Sequence, residues 1–253
     1  MKRTLTLFIC LFCIQTSLNA QKYKRQDTIR GSITSERSWW DLTYYDLEVS
    51  VDPKSKTIDG KNSIHYKVLK TNKVMQIDLQ PPMQLTKAIQ NGRKLKISNC
   101  GNAHYIHLEK PQIKYNIYSL TVFFKGTPRQ AIRAPWDGGF SWKKDKNGTD
   151  FIATTCQGLG ASIWWPNKDH MYDEVDSMKI RVNVPKHLVA VSNGRLIDTS
   201  KSDKSNSYTW FVSNPINNYG VNINIGDYVN FSEIYEGEKG KLNMNYYVLR
   251  HHL

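Results

Sequence analysis

The chain has 253 residues, of which 40% are hydrophobic and 11% are aromatic, and this composition excludes an intrinsically disordered protein. A chain of this length can bury a substantial core, and all-β domains often reach this size as one unit. The formal charge is +13, from 35 Lys and Arg against 22 Asp and Glu. Because the lysines are scattered and form no basic stripe, the charge does not favour nucleic acid as a partner.

The first twenty residues have the layout of a secretory signal peptide. Lys2 and Arg3 form a basic start, residues 5–14 form an apolar run, and Leu18-Asn19-Ala20 provides a cleavage site before Gln21. The apolar run is too short to span a bilayer, and no later run approaches the length of a membrane span. The sequence therefore predicts a chain that is exported to the periplasm or outside the cell, with no integral membrane span.

After residue 39 the apolar residues alternate with polar ones almost everywhere. Leu47, Val49 and Val51 alternate with charged and polar neighbours, which predicts a half-buried strand. Further strands are predicted over residues 62–68, 74–79, 85–89, 94–97, 105–108, 118–125, 151–156, 180–184, 188–192, 195–198, 208–212, 221–225 and 242–249. Asn91-Gly92 and Asn193-Gly194 each predict a tight hairpin between the strands that flank them.

No segment has the pattern of an amphipathic helix of three turns. The sequence therefore predicts an all-β fold, with about a dozen strands arranged in two or more packed antiparallel sheets.

Residues 151–178 form the most unusual stretch of the chain. A short strand passes through Gly158 and Gly160 into the corner Trp164-Trp165-Pro166, and an acidic group follows. The glycines permit backbone conformations that are closed to other residues, which is typical of a loop shaped for a function. A structural corner, whose tryptophans fill the seam between two sheets, is the interpretation that composition alone favours.

The acidic group consists of Asp169, Asp173, Glu174 and Asp176. These acids match no EF-hand spacing, so an acidic surface loop is a better interpretation than a calcium site.

Other candidate sites are weak. The sequence contains no G-x-S-x-G, no P-loop and no H-E-x-x-H. His104 and His107 lie three apart in a predicted strand, so their side chains would fall on opposite faces. Cys100 and Cys156 follow the predicted signal peptide, and both a disulfide and two separate thiols are compatible with the sequence. No catalytic residue and no metal ligand is predicted in this chain.

Five segments, in the same order and at similar spacing, resemble the N-terminal domain of the aminopeptidase N family of zinc metallopeptidases. This family comprises the gluzincins that include leukotriene hydrolase. The segments are Gly139-Phe140, Ala153-Thr154-Thr155-Cys156-Gln157, Trp165-Pro166-Asn167-Lys168-Asp169, Ser192-Asn193-Gly194 and residues 219–228 with Ile225-Gly226-Asp227-Tyr228. Ala161-Ser162 replaces the family's Ala-Arg pair, and Asp169-His170-Met171 replaces its Asp-Glu-Pro. The chain is therefore interpreted as a divergent branch.

The resemblance implies a particular domain organisation. Residues 1–20 would be the signal peptide, residues 21–38 an N-terminal linker, and residues 39–253 the multi-sheet saddle-like β domain. In the family this domain docks on a thermolysin-like catalytic domain that holds zinc through H-E-x-x-H. Because that motif is absent, the chain alone is expected to be inactive, with no cofactor of its own and a missing catalytic domain as its partner.

The resemblance also implies a substrate-binding residue. Gln157, followed by Gly158, falls where family members receive the free amino terminus of a peptide. Many members carry Glu at this position, and others carry Gln. An ammonium group needs acceptors, and a glutamine carbonyl oxygen is a weaker acceptor than a carboxylate. The structural alternative is a glutamine that is hydrogen-bonded to its own loop.

A second hypothesis is a secreted β-sandwich that binds glycans or acts as an interaction module. Trp136, Trp142, Trp164 and Trp165 could offer flat surfaces to sugar rings, although clustered tryptophans near a domain seam usually pack in the core. Two or more coplanar tryptophans facing solvent would favour sugar binding.

Overall fold

The computed structural model describes residues 24–253. The predicted signal peptide, residues 1–20, lies outside the described residues. Two short helices, α1 (Arg25–Gly31) and α2 (Ser35–Ser38), precede the first strand, within the segment interpreted as a linker. Of the helices in this described part of the chain, none has the length and apolar character needed to cross a membrane.

The rest of the described chain is built from strands. In chain order they are β1 (Trp40–Asp52), β2 (Thr57–Val68), β3 (Asn72–Asp78), β4 (Gln84–Gln90), β5 (Arg93–Lys94), β6 (Lys96–Cys100), β7 (Ala103–Gln112), β8 (Ile117–Gly126), β9 (Gly139–Lys144), β10 (Asp150–Thr155), β11 (Ser177–Pro185), β12 (Val189–Ser192), β13 (Arg195–Lys201), β14 (Ser205–Val212), β15 (Ile223–Gly226), β16 (Tyr228–Gly237) and β17 (Gly240–Leu249). The all-β prediction is confirmed, although β9 and β16 were not among the predicted strands.

The strands form four sheets. The largest has eight strands in the order β13-β14-β11-β1-β2-β8-β4-β5, and the others are β12-β15-β10-β9, β3-β7-β6 and the ribbon β16-β17. Nearly all neighbouring strands are antiparallel, but β1 and β11 run parallel, with Tyr44 opposite Ser177. The central strand β1 is therefore paired on one side with its neighbour in sequence and on the other with a strand from the second half of the chain.

The alternating pattern of the sequence places the core between these sheets. Leu47, Val49 and Val51 of β1 are buried, as the pattern predicted, and so are Ile180 and Val182 of β11. The buried apolar side chains of the large and small sheets belong to one continuous cluster. Burial of such a cluster is the main favourable contribution to folding.

The two predicted hairpins have different outcomes. Asn91 and Gly92 both have positive φ, 51° and 77°, and they join Gln90 to Arg93 as a two-residue turn. This geometry matches the right-handed twist of the flanking strands, so the prediction is confirmed.

The prediction at Asn193-Gly194 is wrong. The preceding strand β12 pairs with β15, while the following strand β13 pairs with β14 in the large sheet. Gly194 has a φ of 85°, and the Asn193 side chain instead accepts from the backbone N–H of Asn222 and donates to the carbonyl of Gly220. The Asn-Gly pair marks a crossing from one sheet to another, which short-range sequence signals do not distinguish from a hairpin.

Candidate functional site

The loop that follows β10 is shaped by its glycines. The backbone N–H groups of Leu159 and Gly160 both donate to the carbonyl of Cys156, at 3.1 and 2.9 Å. Gly158 and Gly160 have φ values of 72° and 82°, which favour glycine. At Gly160 a Cβ atom would also lie 2.5 Å from a carboxylate oxygen of Asp169 and 2.8 Å from a guanidinium nitrogen of Arg30. Positive φ therefore favours glycine at both positions, and at Gly160 the neighbouring side chains leave no room for a Cβ atom either.

Asp169 fixes the next part of the loop. Its carboxylate accepts from the backbone N–H groups of Ala161 and Ser162, both at 3.2 Å, and from the Ser162 hydroxyl at 2.5 Å. These N–H groups begin the short 3-10 helix Ala161–Ile163, so Asp169 satisfies donors that have no partner within the helix. The backbone N–H of Asp169 in turn donates to a carboxylate oxygen of Asp78 at 3.1 Å.

A buried arginine connects this loop to the N-terminal helix. Arg37 is fully buried and forms an ion pair with Asp78 at 2.6 Å. Its second guanidinium nitrogen donates to the carbonyls of Ile29, Arg30 and Ser32, at 3.1, 3.0 and 2.9 Å. Arg37 thereby satisfies carbonyl groups at the end of α1 and holds that helix against the loop.

A second buried ion pair lies beneath the loop. The Lys168 ammonium pairs with Asp173, donates to the carbonyl of Trp40 at 2.6 Å and lies 4.0 Å from the centre of the Trp40 ring. Burial lowers the pKa of Lys168 to about 8, although the negative charge of Asp173 opposes this shift. The Asn218 side chain donates to the Lys168 carbonyl at 2.8 Å, which ties the loop to the segment around residue 218.

The acidic group predicted as a surface loop is therefore partly structural. Asp169 accepts from backbone N–H groups, whereas Asp173 pairs with Lys168, so these two carboxylates serve different partners. Over residues 24–253, no three His, Cys, Asp or Glu side chains are grouped as a metal site requires. The described residues therefore do not fit the zinc that the resemblance implies for the complete family member, and no zinc ligand is assigned among them.

The two predicted substrate-binding residues lie at the surface of this loop. Gln157 is exposed, its backbone N–H donates to the Thr155 hydroxyl at 3.3 Å, and its carboxamide oxygen accepts from the Tyr219 hydroxyl. Gly158 is also exposed, with open space where a side chain would be. Tyr219 was missed as a site residue because it lies 62 positions further along the chain. Its position at the start of the family-like segment 219–228 was the available signal.

A cleft of about 640 Å³ is lined by Gly158, the residue after Gln157, and by Tyr219, the hydrogen-bond partner of Gln157. Asp27 and Arg30 of α1 also line this cleft. The segment interpreted as a linker therefore forms a wall of the candidate site.

The exposure of the four tryptophan side chains decides between core packing and glycan binding. Trp164 and Trp165 are fully buried, so they fill the core as composition favoured and cannot contact a sugar. Trp142 stacks on Phe140, with ring centres 5.1 Å apart, whereas Trp136 is 81% exposed. Two coplanar exposed tryptophans are not found among these four residues, and the geometry does not favour the glycan-binding hypothesis.

The remaining candidates have ordinary structural partners. Cys156 is buried and Cys100 is half-buried, and both are free thiols, so the disulfide alternative is not realised. His104 contacts the carbonyl of Leu79, whereas His107 contacts the hydroxyl of Ser98, consistent with side chains on opposite faces of β7.

Comparisons with known proteins agree on one family. Residues 42–219 match the sequence profile of the Peptidase M1 N-terminal domain. An M1 zinc metallopeptidase mutant from Deinococcus radiodurans, solved with a Tyr-Ser-Ala substrate, has a TM-score of 0.71 at 16% identity, covering 85% of this chain and 49% of its own. The M1 zinc metallopeptidase from Deinococcus radiodurans has a TM-score of 0.69 at 17% identity, covering 83% and 47%. No curated protein matches the sequence significantly. The chain thus spans about half the length of the solved structures it resembles, and these structures establish the fold.

Proposed function

Since the chain belongs to the M1 peptidase family through its N-terminal domain, we propose that it is the substrate-side, non-catalytic part of an exported zinc aminopeptidase. The observation that carries this proposal is the exposed carboxamide of Gln157, which is held by Tyr219, a residue that lines a cleft in the family's N-terminal fold together with Gly158.

Gln157 binds the free amino terminus of the peptide. Its carbonyl oxygen has two lone pairs, and the Tyr219 hydroxyl uses one of them. The second lone pair accepts from the peptide ammonium group, which carries three donors. The open space beside Gly158 leaves room for the peptide backbone next to this contact.

The zinc and the hydrolytic chemistry belong to a thermolysin-like domain outside the described residues. The length of the related structures supports this partner, since the chain covers less than half of each. When bound in that domain, zinc would polarise the scissile carbonyl and lower the pKa of the attacking water. The part assigned to this chain is to hold the substrate's amino end.

The ribbon β16-β17 also supports a packing partner. Residues paired across an antiparallel ribbon share a face, and one face carries the pairs Phe231–Tyr246 and Tyr235–Leu242. Phe231, Tyr235 and Leu242 are exposed on this face. The opposite face of the ribbon packs on the core through Tyr247, which contacts Trp210, and a following domain would cover the exposed face.

Export of the protein is proposed from the sequence of residues 1–20. The basic start, the short apolar run and the Leu18-Asn19-Ala20 site are the features that a signal peptidase substrate requires. Peptides of the periplasm or the cell exterior are accordingly the substrates of the complete enzyme.

The test uses the complete gene product, including any coding sequence beyond residue 253. Gln157→Ala is expected to raise KM for peptides with a free amino terminus by about fivefold, because one hydrogen bond of roughly 1 kcal/mol is lost. Gln157→Glu is expected to lower KM, because a carboxylate accepts from an ammonium more strongly than an amide does. Steady-state kinetics on unblocked peptides and on their N-acetyl forms measure both effects.

The matched control is Gln84→Ala, which removes an exposed glutamine from β4. It is expected to leave KM unchanged. If Gln157→Ala also leaves KM unchanged for unblocked peptides, Gln157 serves only its own loop and the proposed role is wrong.

A further inference from the structure

We propose that Trp136, together with Ile132, contacts the side chain of the first residue of the peptide and selects for apolar and aromatic residues there. This inference rests on the proposed function, because the position of the first side chain is defined by where the amino terminus binds.

Both residues lie on a closed loop between β8 and β9. Asp137 forms an ion pair with Arg129 at 3.0 Å and also accepts from the backbone N–H of Ile132 at 2.7 Å. The backbone N–H of Trp136 donates to the carbonyl of Arg133 at 2.9 Å. These bonds fix the backbone that presents Trp136 and Ile132.

The loop is attached directly to the strand end that carries Gln157. The Thr155 hydroxyl donates to the carbonyl of Pro135 at 2.9 Å and accepts from the backbone N–H of Gln157 at 3.3 Å. On the other side of Trp136, a Cβ atom built on Gly138 would lie 3.0 Å from the carbonyl oxygen of Gln157. Trp136 thus sits between two residues that contact the segment 155–157.

The covalent structure of the first peptide residue places its side chain close to its ammonium group, and therefore close to this loop. In a free peptide the ammonium group and the first side chain leave the same carbon atom, so a group beside the ammonium acceptor is also beside that side chain. Trp136 is 81% exposed and Ile132 is 82% exposed, so both offer apolar surface for contact. A rigid indole can cover an aromatic or aliphatic side chain at small entropic cost.

The charges of the loop favour the same class of substrate. Asp137 is paired with Arg129, so its negative charge is largely compensated. Arg133 is exposed between Ile132 and Trp136 and would repel a lysine or arginine at the first position. The loop therefore fits a peptide that begins with an uncharged apolar residue.

The experiment measures kcat/KM of the complete gene product on Phe-, Leu-, Ala- and Lys-para-nitroanilides. Trp136→Ala is expected to lower kcat/KM for the Phe substrate by roughly 3- to 10-fold, the range of an aromatic contact. The value for the Ala substrate should change less than twofold. Trp136→Phe should retain most of the preference for the Phe substrate, and Tyr115→Ala, which removes an exposed aromatic ring from the turn between β7 and β8, should leave all four values unchanged.

The outcomes distinguish this inference from the role of Gln157. Gln157→Ala should lower kcat/KM for all four substrates by a similar factor, because every free amino terminus is the same. A graded effect of Trp136→Ala together with no effect of Gln157→Ala supports the side-chain contact and refutes the amine contact. Equal effects of Trp136→Ala on the Phe and Ala substrates, or no effect on either, overturn the inference.

Discussion

The buried pair Lys168–Asp173 provides a quantitative test of how the candidate loop is held. The two side chains are 0% and 7% exposed. Removing one partner of a buried pair leaves an uncompensated charge and typically costs about 3–5 kcal/mol. Lys168→Met would leave the Asp173 carboxylate with the backbone N–H of Leu42, at 3.2 Å. Asp173→Asn would leave the ammonium with the carbonyl of Trp40, at 2.6 Å.

The loss of unfolding free energy caused by each single substitution has an upper limit, because the remaining buried charged group can become neutral by gaining or losing a proton. At pH 7, protonating an aspartate costs about 4 kcal/mol and deprotonating a lysine costs about 5 kcal/mol, given their ordinary pKa values. We therefore expect each single substitution to lower the free energy of unfolding by about 3 kcal/mol. The double substitution Lys168→Met/Asp173→Asn buries no charge at this site, so its cost should be well below the sum of the two singles.

The assay is urea unfolding at pH 7, followed by tryptophan fluorescence, since Trp164 and Trp165 are buried and report on the core. For a domain of this size, 3 kcal/mol corresponds to a decrease in Tm of roughly 6–12 °C. The matched control is the pair Arg93–Glu109, whose side chains are 72% and 48% exposed. Arg93→Met and Glu109→Gln should each change stability by less than about 1 kcal/mol.

Two results would refute this reasoning about Lys168 and Asp173. If the double substitution costs as much as the two single substitutions together, the side chains are not coupled. If the single substitutions cost no more than the surface control, burial does not strengthen the interaction.

Two further predictions follow from the same group of buried charges. Because the folded-state pKa of Lys168 is about 8 and the unfolded value is near 10.5, the unfolded chain holds a proton between these pH values that the folded chain has released. The free energy of unfolding should therefore rise by about 1 kcal/mol from pH 8 to pH 9, and Lys168→Met should abolish this rise. Urea unfolding at both pH values tests the prediction. If the variant shows the same rise as the wild type, the prediction is wrong. Arg37→Met removes the donor that binds the carbonyl groups at the end of α1. Trypsin should then cleave after Arg25 and Arg30 at least about tenfold faster than in the wild type. Mass spectrometry measures the cleavage rates, and Arg93→Met is the control. Equal cleavage rates would show that α1 is held by other contacts.

The periodic parts of this fold could be predicted from the sequence. The alternation in β1 and β11 identified the strands and their buried faces, because a strand with one face on the core must alternate. The burial of Trp164 and Trp165 is the outcome that composition favoured, whereas Trp136, a side chain of the same size, is exposed. Strand β16 was missed because its apolar residues, including Phe231 and Tyr235, lie exposed among polar neighbours and form no core-facing pattern.

The candidate site could be predicted only in part from the sequence. The resemblance placed Gln157, but the hydrogen bond from Tyr219 depends on a contact between distant parts of the chain. The same holds for the link from Arg37 through Asp78 to Asp169, which joins three regions that are far apart in sequence. Local patterns carry no information on such pairings, because they arise only when the sheets pack together.

The parallel pairing of β1 with β11 has a consequence for the order of folding. Tyr44 is opposite Ser177, so the central strand of the large sheet meets this neighbour roughly 130 residues after it has been synthesised. At a synthesis rate of about 5–20 residues per second, one edge of β1 stays unpaired for roughly 7–25 s. An unpaired apolar strand edge is a template for association with other chains. Until β11 arrives, this edge of β1 is open to pairing with another chain, even after β2 has covered the opposite edge.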